Sequence, residues 1–165
     1  MKNDFSQYTE QYSADLTRLC MSLCGNKVEA EDLFQETWLK AMRHYDKYDK
    51  TKPFDKWLYS ICVNTYKNVL NSAYRRLQYS FSTSEESDNF FNSIPEIDNT
   101  NRDDYYELHA AIRSLSKKKR TVIVLYFFKS YSIADIAEIL NVPEGTVKSR
   151  LSAAKSEIKR RMTCE

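Results

Sequence analysis

Five polar residues near the C-terminus have the types and spacing needed to contact a nucleic-acid duplex. Hydroxyl and ammonium groups donate hydrogen bonds to base edges and phosphate oxygens, and the DNA major groove admits one α-helix. An apolar stripe at Val147, Leu151, Ala154 and Ile158 predicts that this segment is a helix with one buried face. The candidates on its polar side are Thr146, Lys148, Ser149, Ser152 and Lys155.

The residues just before this helix predict the first half of a helix-turn-helix motif. Ser132 is suited to cap a short helix whose inward positions include Ile136 and Ala137. Asn141 tolerates a left-handed turn, and Pro143 ends the first helix before the second begins. A plain helical hairpin with solvated charges is the alternative. The cap, the turn and the exposed polar face occur together at offsets typical of a helix-turn-helix.

Basic residues on both sides of the motif are placed to contact phosphates. Residues 107–165 contain 12 basic and 6 acidic residues, whereas residues 79–106 contain 1 basic and 7 acidic residues. Phosphate contacts supply most sequence-independent affinity, although solvated basic helix faces are also common. Arg150 fits a phosphate contact or an internal ion pair equally well. The candidates for phosphate contacts are Lys117, Lys118, Lys119, Arg120, Lys159, Arg160 and Arg161.

Three further helices are predicted before residue 77. The first carries an apolar stripe and ends at Gly25, a predicted left-handed cap. Asn26, with Glu29 three residues later, resembles a capping box that begins the second helix. Residues 45–52 lack an apolar stripe and predict an exposed loop, and Pro53 is suited to begin the third helix.

The composition favours an all-α fold of two small domains. Two glycines and three prolines in 165 residues supply few of the turns that a chain of many strands needs. Residues 78–103 are polar and acidic, without the periodicity of a helix or strand. We therefore predict a first helical domain at residues 1–77, a flexible acidic linker at 78–104 and a second domain, containing the helix-turn-helix, at 105–165.

No group of residues predicts catalysis, a metal site or a cofactor. The chain lacks a glycine-rich phosphate loop, and its two histidines, His44 and His109, lie in unrelated segments. The four cysteines lack paired zinc spacing and are expected to be reduced thiols that pack as small core residues. No apolar run approaches the roughly 18 to 20 residues that span a bilayer. We therefore expect a cytoplasmic protein, not inserted in a membrane, that is not an enzyme.

Three segments resemble one protein family, the extracytoplasmic-function (ECF) sigma factors of bacterial RNA polymerase. Residues 144–151, EGTVKSRL, closely resemble the beginning of the family's recognition helix. Residues 30–38, AEDLFQETW, resemble its polymerase-binding segment, and residues 54–68 resemble the helix that captures the downstream promoter element. The resemblance covers nearly the whole chain except the linker and the N-terminal tip.

The resemblance implies a role for each domain. The second domain is expected to bind the upstream −35 element through its recognition helix, with Ser152 and Ala153 standing where many relatives carry another basic residue. The first domain is expected to dock on the clamp helices of the largest polymerase subunit. The residues that match this docking segment are Asp32, Leu33, Gln35 and Glu36.

The first domain is also expected to bind the −10 element and to hold a separated strand. By resemblance, the loop between the second and third helices receives a flipped base, for which aromatic and cationic side chains are suited. Phe54 and Trp57 could instead be core residues, and for Trp57 the core is favoured. The −10 candidates are Tyr48, Lys52, Phe54, Lys56, Asn64, Lys67, Asn68, Arg75 and Arg76.

The implied partners are core RNA polymerase, promoter DNA and an anti-sigma factor. The main rival is a stand-alone helix-turn-helix regulator that binds a palindromic site as a dimer. That reading gives the segments at 30–38 and 54–68 no purpose. A protein adaptor, the third possibility, leaves the basic recognition face without a partner.

Overall fold

Three leucines on one face of the first helix pack in the interior of its domain. The protein is seen here as a computed structural model that describes residues 2–76 and 102–163, with the side chains of 4–68, 104 and 106–163. Helix α1 spans Lys2–Leu23, and Leu16, Leu19 and Leu23 are fully buried. The hydroxyl of Tyr66, from α3 (Phe54–Arg76), donates to the carbonyl of Leu23 at 2.8 Å. This bond satisfies a carbonyl at the end of α1 that has no partner within the helix.

The turn after α1 differs from the sequence prediction. Neither glycine has a positive φ, so Gly25 is not a left-handed cap. Asn26 caps the next helix, because its backbone is extended and its side chain accepts from the Glu29 N–H at 2.9 Å. Helix α2 follows directly, over Lys27–His44.

The first domain is a three-helix unit with an aromatic cluster at one end. A 3₁₀ turn at Tyr45–Lys47 follows α2, and the chain then reaches α3. The apolar core between the helices includes Leu33 and Leu58. The aromatic cluster consists of Phe5, Tyr8, Tyr12, Trp38, Tyr45, Tyr48, Phe54 and Trp57.

The second domain begins with helix α4, Arg102–Ser114, three residues before the predicted boundary. Helix α5 spans Lys117–Ile123, capped by the Ser116 side chain, and continues as a π turn over Val124–Phe128. The remaining residues of the predicted linker, 78–101, lie outside the described residues.

The helix-turn-helix prediction is confirmed. Helix α6 spans Ile133–Leu140 and begins with a capping box between Ser132 and Asp135, with hydrogen bonds of 3.1 and 3.2 Å. Asn141 adopts the left-handed conformation, with φ 52° and ψ 50°, and helix α7 follows at Glu144–Thr163. Helix α7 packs against α4, α5 and α6, so the core of the domain forms around its buried stripe.

The described part of the chain contains helices and turns without a strand, and residues 2–76 and 102–163 belong to two separate compact units. Among the described residues, no helix is both long enough and apolar enough to cross a membrane. Cys20, Cys24 and Cys62 are buried free thiols, as predicted for small core residues, and Cys164 lies outside the described residues.

The turn at Asn141 gives a test of the second domain's stability. Asn141→Ala is expected to lower the free energy of unfolding by about 1 kcal/mol, because a Cβ without a compensating side-chain bond is crowded at positive φ. Asn141→Gly is the matched control and should lower it less. Urea unfolding followed by circular dichroism detects both domains, whereas tryptophan fluorescence detects only the first, which contains Trp38 and Trp57. An equal loss in both variants would show that the left-handed turn is not the cause.

Candidate nucleic-acid and protein interfaces

The polar side of α7 faces the solvent, as the sequence predicts. Lys148, Ser149 and Ser152 are exposed, and Thr146 is half-buried near the start of the helix. Val147 and Ala154, on the other side, are fully buried. The helix is therefore anchored by one face, which leaves the polar face open to solvent for hydrogen bonding.

Lys155 is exposed but is held beside two aromatic rings. Its Nζ lies 5.3 Å from the ring centroid of Tyr126 and 5.5 Å from that of Phe127. A cation above a ring face is attracted to the ring's electrons. These contacts place the ammonium group at the edge of the polar face, on the side of α5.

Lys119, a predicted phosphate contact, is paired with a carboxylate within the domain. Its Nζ donates to Glu157 Oε2 at 2.8 Å, and Arg161 lies 3.7 Å from the same carboxylate. The hydrogen bond from Lys119 is the main cause that holds the pKa of Glu157 below its usual value. The pair joins α5 to α7, so Lys119 stabilises the position of α7.

Arg120 is likewise engaged with the protein rather than directed to solvent. Its guanidinium donates to the carbonyls of Ile112 at 3.3 Å and Leu115 at 3.1 Å, and also to that of Arg113. Helix ends leave such carbonyls unpaired, and a cation there is favoured by the helix dipole. Lys118 is exposed, as are Lys159, Arg160 and Arg161, whereas Lys117 is half-buried.

In the first domain, two predicted −10 residues lie in the interior. Tyr48 is 8% exposed and Phe54 is 3% exposed. Phe54 stacks on Tyr8 with 4.0 Å between ring centroids and 6° between planes. Because the aromatic cluster covers both rings, neither is a free stacking surface for a base. Trp57, for which the core was favoured, is half-buried against Tyr48 at 4.9 Å.

The exposed part of this region is the loop between Tyr48 and Pro53, which we call the 49–52 loop. The Lys52 N–H donates to the Asp49 carbonyl at 3.0 Å. Asp49 Oδ1 accepts from the Thr51 N–H at 3.0 Å and from the Thr51 hydroxyl at 2.7 Å, and these bonds lower the pKa of the Asp49 carboxyl. The Tyr48 hydroxyl donates to the Lys52 carbonyl at 2.5 Å. The loop is thus a closed turn.

The other −10 candidates lie on α3. Asn64, Lys67 and Asn68 are exposed. Lys67 and Asn68 follow Asn64 by three and four residues, about one helical turn, so all three lie on one side of the helix. Lys56 is half-buried at the start of the same helix. Arg75 and Arg76 belong to the last turn of α3, and their side chains lie outside the described residues.

The predicted polymerase-binding residues divide between surface and core. Gln35 is exposed, and Asp32 and Glu36 are half-buried, with Glu36 3.7 Å from Lys40. Leu33 is 1% exposed and packs in the core, so in this structure it offers almost no surface for the predicted contact with a partner. Leu33 is buried because it lies on the inward face of α2, together with the buried Thr37.

Sequence reasoning missed the exposed apolar side chains of α2. Val28, Leu39 and Met42 are 54%, 42% and 56% exposed. Val28 and Leu39 are separated by about three helical turns and therefore lie on one face, with Gln35 between them. Apolar residues out of phase with the buried stripe are the signal that could have identified this face. We call it the α2 outer face.

A second missed feature is an apolar groove in the second domain, with a volume of about 460 Å³. Phe127 and Phe128 are 55% and 47% exposed beside it. The sequence places Phe127 in a buried helix, but the π turn alters the helical register there and turns the ring outward. The groove is lined mainly by Leu108, Ile112, Ile123, Phe127, Phe128 and Met162.

Comparison with known families gives two matches in chain order. Residues 9–77 match the family Sigma-70 region 2, and residues 105–158 match Sigma-70, region 4. The second match contains the helix-turn-helix, and the first contains α2, the 49–52 loop and α3.

Individual relatives are similar over nearly the full chain. The RNA polymerase sigma-H factor of Pseudomonas aeruginosa is 31% identical over 95% of this chain and 85% of its own. The ECF RNA polymerase sigma factor SigW of Bacillus subtilis is 28% identical over 96% of this chain and 88% of its own. Among solved structures, the sigma factor RpoE of Bartonella quintana, in complex with the anti-sigma factor NepR, has a TM-score of 0.76 and 26% identity over 98% of both chains.

Both halves of the chain thus match sigma regions in the right order, and the recognition helix lies where a region 4 places it. The similar SigW is an extracytoplasmic-function sigma factor, and this similarity extends over both regions, which narrows the family from sigma-70 factors in general to that group. The chain belongs to the extracytoplasmic-function family of bacterial RNA polymerase sigma factors.

Proposed function

We propose that this sigma factor directs core RNA polymerase to its promoters through separate −35, −10 and polymerase-binding surfaces. The observation that carries the proposal is the presentation of α7, whose buried stripe is packed against three helices while its polar face is open. A recognition helix held in this way enters a major groove as a rigid body. The match of residues 9–77 to region 2 disfavours the stand-alone regulator.

At the −35 element, Lys148, Ser149 and Ser152 are proposed to contact base edges. Thr146 and Lys155 lie toward the borders of the same surface. Lys118 is proposed to contact a phosphate, because it is exposed, whereas Lys119 and Arg120 are engaged within the domain. Phosphate contacts set the position of the helix, and base contacts select the sequence.

At the −10 element, the 49–52 loop and the exposed side of α3 are proposed to hold the separated strand. Lys52 supplies a cation beside the loop, and Asn64, Lys67 and Asn68 supply donors along α3. Tyr48 and Phe54 are proposed to support this surface from within the domain.

The α2 outer face is proposed to dock on the clamp helices of the largest polymerase subunit. Gln35 lies among the exposed apolar side chains, with the carboxylates of Asp32 and Glu36 beside them. An apolar patch with a polar border is typical of protein interfaces. The protein is proposed to act in the cytoplasm, with all chemistry performed by the polymerase.

An anti-sigma factor is a further proposed partner. The similar Bartonella RpoE was solved in complex with the anti-sigma factor NepR. The groove of the second domain has exposed Phe127 and Phe128, with Lys155 and Lys159 among its lining residues. An amphipathic helix with acidic residues beside its apolar face would fit such a groove. It is our candidate for the anti-sigma docking site.

Run-off transcription with sigma-free core polymerase tests the −35 surface. Lys148→Ala is expected to lower initiation by about tenfold, as for the loss of one base contact. Because the lost contact is to DNA, the defect should persist at saturating sigma and disappear on promoters whose upstream element is scrambled. Lys27→Ala, an exposed lysine of the first domain, is the control. An equal defect on scrambled promoters would contradict base recognition by Lys148.

The same assay tests the α2 outer face. Gln35→Ala is expected to raise the sigma concentration needed for half-maximal initiation by about fivefold, because interface contacts often contribute about 1 kcal/mol. The maximal rate should be unchanged once sigma is in excess. Gln11→Ala removes an exposed glutamine from α1 and serves as the control. If the Gln35 variant loses maximal rate instead, Gln35 acts after polymerase binding.

Salt dependence separates phosphate contacts from structural cations. For the reconstituted holoenzyme on a promoter fragment, Lys118→Ala should reduce the slope of log affinity against log salt by about 0.9, the value for one phosphate contact. Arg120→Ala should leave the slope unchanged and destabilise the second domain by about 2 kcal/mol, because it leaves helix carbonyls unpaired. A reduced slope for the Arg120 variant would return that residue to the DNA interface.

A further inference from the structure

The 49–52 loop is tied to the rest of the domain at two points. Its own bonds, between Asp49, Thr51 and Lys52, close the turn. At its exposed middle, the Lys50 ammonium group lies 3.5 Å from the Asp4 carboxylate of α1 and 5.9 Å from the centroid of the Tyr45 ring. The hydroxyl of Tyr48 donates to the carbonyl of Lys52 and so ties the far end of the turn to the aromatic cluster. No other described bond reaches from the cluster to Lys52.

The ring of Tyr48 is itself held on several sides. Its centroid lies 4.9 Å from that of Trp57, 5.4 Å from Phe54 and 6.4 Å from Tyr8. A phenol with its ordinary pKa of about 10 is protonated at neutral pH, and burial raises the pKa of Tyr48 further, so its hydroxyl is a donor. A buried ring with a fixed donor can therefore set the position of the Lys52 carbonyl and of the side chains beside it.

We propose that Tyr48 is a positioning residue for base selection at the −10 element, acting through the hydrogen bond between its hydroxyl and the Lys52 carbonyl. The proposal rests on the proposed role of the 49–52 loop in holding a flipped base. A base pocket built on a loop selects one base only if the loop keeps one shape, since a mobile loop adapts to several. Tyr48 thereby contributes to selectivity without touching the DNA.

The chain offers a matched control in the same cluster. The ring of Tyr45 lies 6.1 Å from that of Tyr48 and 5.1 Å from that of Phe5. Its hydroxyl is buried and has no hydrogen-bond partner within the described residues. Tyr45→Phe and Tyr48→Phe thus remove the same atom from the same cluster. Tyr45→Phe keeps the ring that lies beside Lys50, and only Tyr48→Phe removes a hydrogen bond to the loop.

The experiment is initiation by the reconstituted holoenzyme on promoters that differ by one base at each −10 position. The readout is the ratio of initiation on the preferred base to that on the next best base. Tyr48→Phe should lower this ratio by about fivefold at the position held by the loop, the effect of one ordinary hydrogen bond. Tyr45→Phe should leave it unchanged. A variant that only unfolds more readily lowers initiation on every template equally and leaves the ratio intact.

Amide hydrogen exchange gives a second readout that needs no DNA. The Thr51 and Lys52 amides should exchange faster in Tyr48→Phe than in Tyr45→Phe. An unchanged base ratio in Tyr48→Phe would overturn the proposal. The proposed role of the loop would still stand in that case, because the wild-type protein would still prefer one base. An equal fall of the ratio in both variants would also overturn it. A wild-type protein with no base preference at any −10 position would refute the loop's role and this inference together.

Discussion

Backbone carbonyls without partners within a helix or loop must find donors elsewhere, and tyrosine and arginine side chains supply these donors in both domains. Tyr66 donates to Leu23 at the end of α1, Tyr48 to Lys52 in the loop, and Arg120 to Ile112 and Leu115 at the end of α4. Each bond adds a directional contact to the apolar packing around it. The bonds thereby fix the positions of the helices and of the loop that carry the exposed polar residues.

The same division of roles recurs in the two domains. Aromatic and charged residues in the interior or at its border hold the elements, and small polar or cationic residues face the solvent. In the second domain, the pair between Lys119 and Glu157 holds α7 against α5, while Lys148 and Ser149 remain exposed. In the first domain, the aromatic cluster supports the 49–52 loop. A sigma factor needs both parts, because recognition of a base requires a donor placed to within a fraction of a hydrogen-bond length.

Local signals predicted the helix-turn-helix, since the Ser132 cap and the left-handed Asn141 depend on neighbouring residues alone. The roles of Leu33, Tyr48, Phe54, Lys119 and Arg120 could not be predicted in this way. An aromatic ring suits a base as well as a core, and a lysine suits a phosphate as well as a carboxylate, so the choice depends on what the tertiary fold brings near. The outward turn of Phe127 required the π turn, which has no clear sequence signal. The predicted linker, apart from residues 102–104, lies outside the described residues.

Separation of anchoring from recognition has a consequence for how promoter preference can change. Ser152 and Ala153 are exposed and contribute nothing to the core of the second domain, whereas Leu151 and Ala154 beside them are buried. Small side chains at the exposed pair leave the anchoring of α7 intact. A substitution at this pair is therefore expected to change the preferred upstream element through a lost or altered contact, and not through a different placement of the helix in the groove. Substitutions on the anchoring side instead change stability, and with it the amount of active protein.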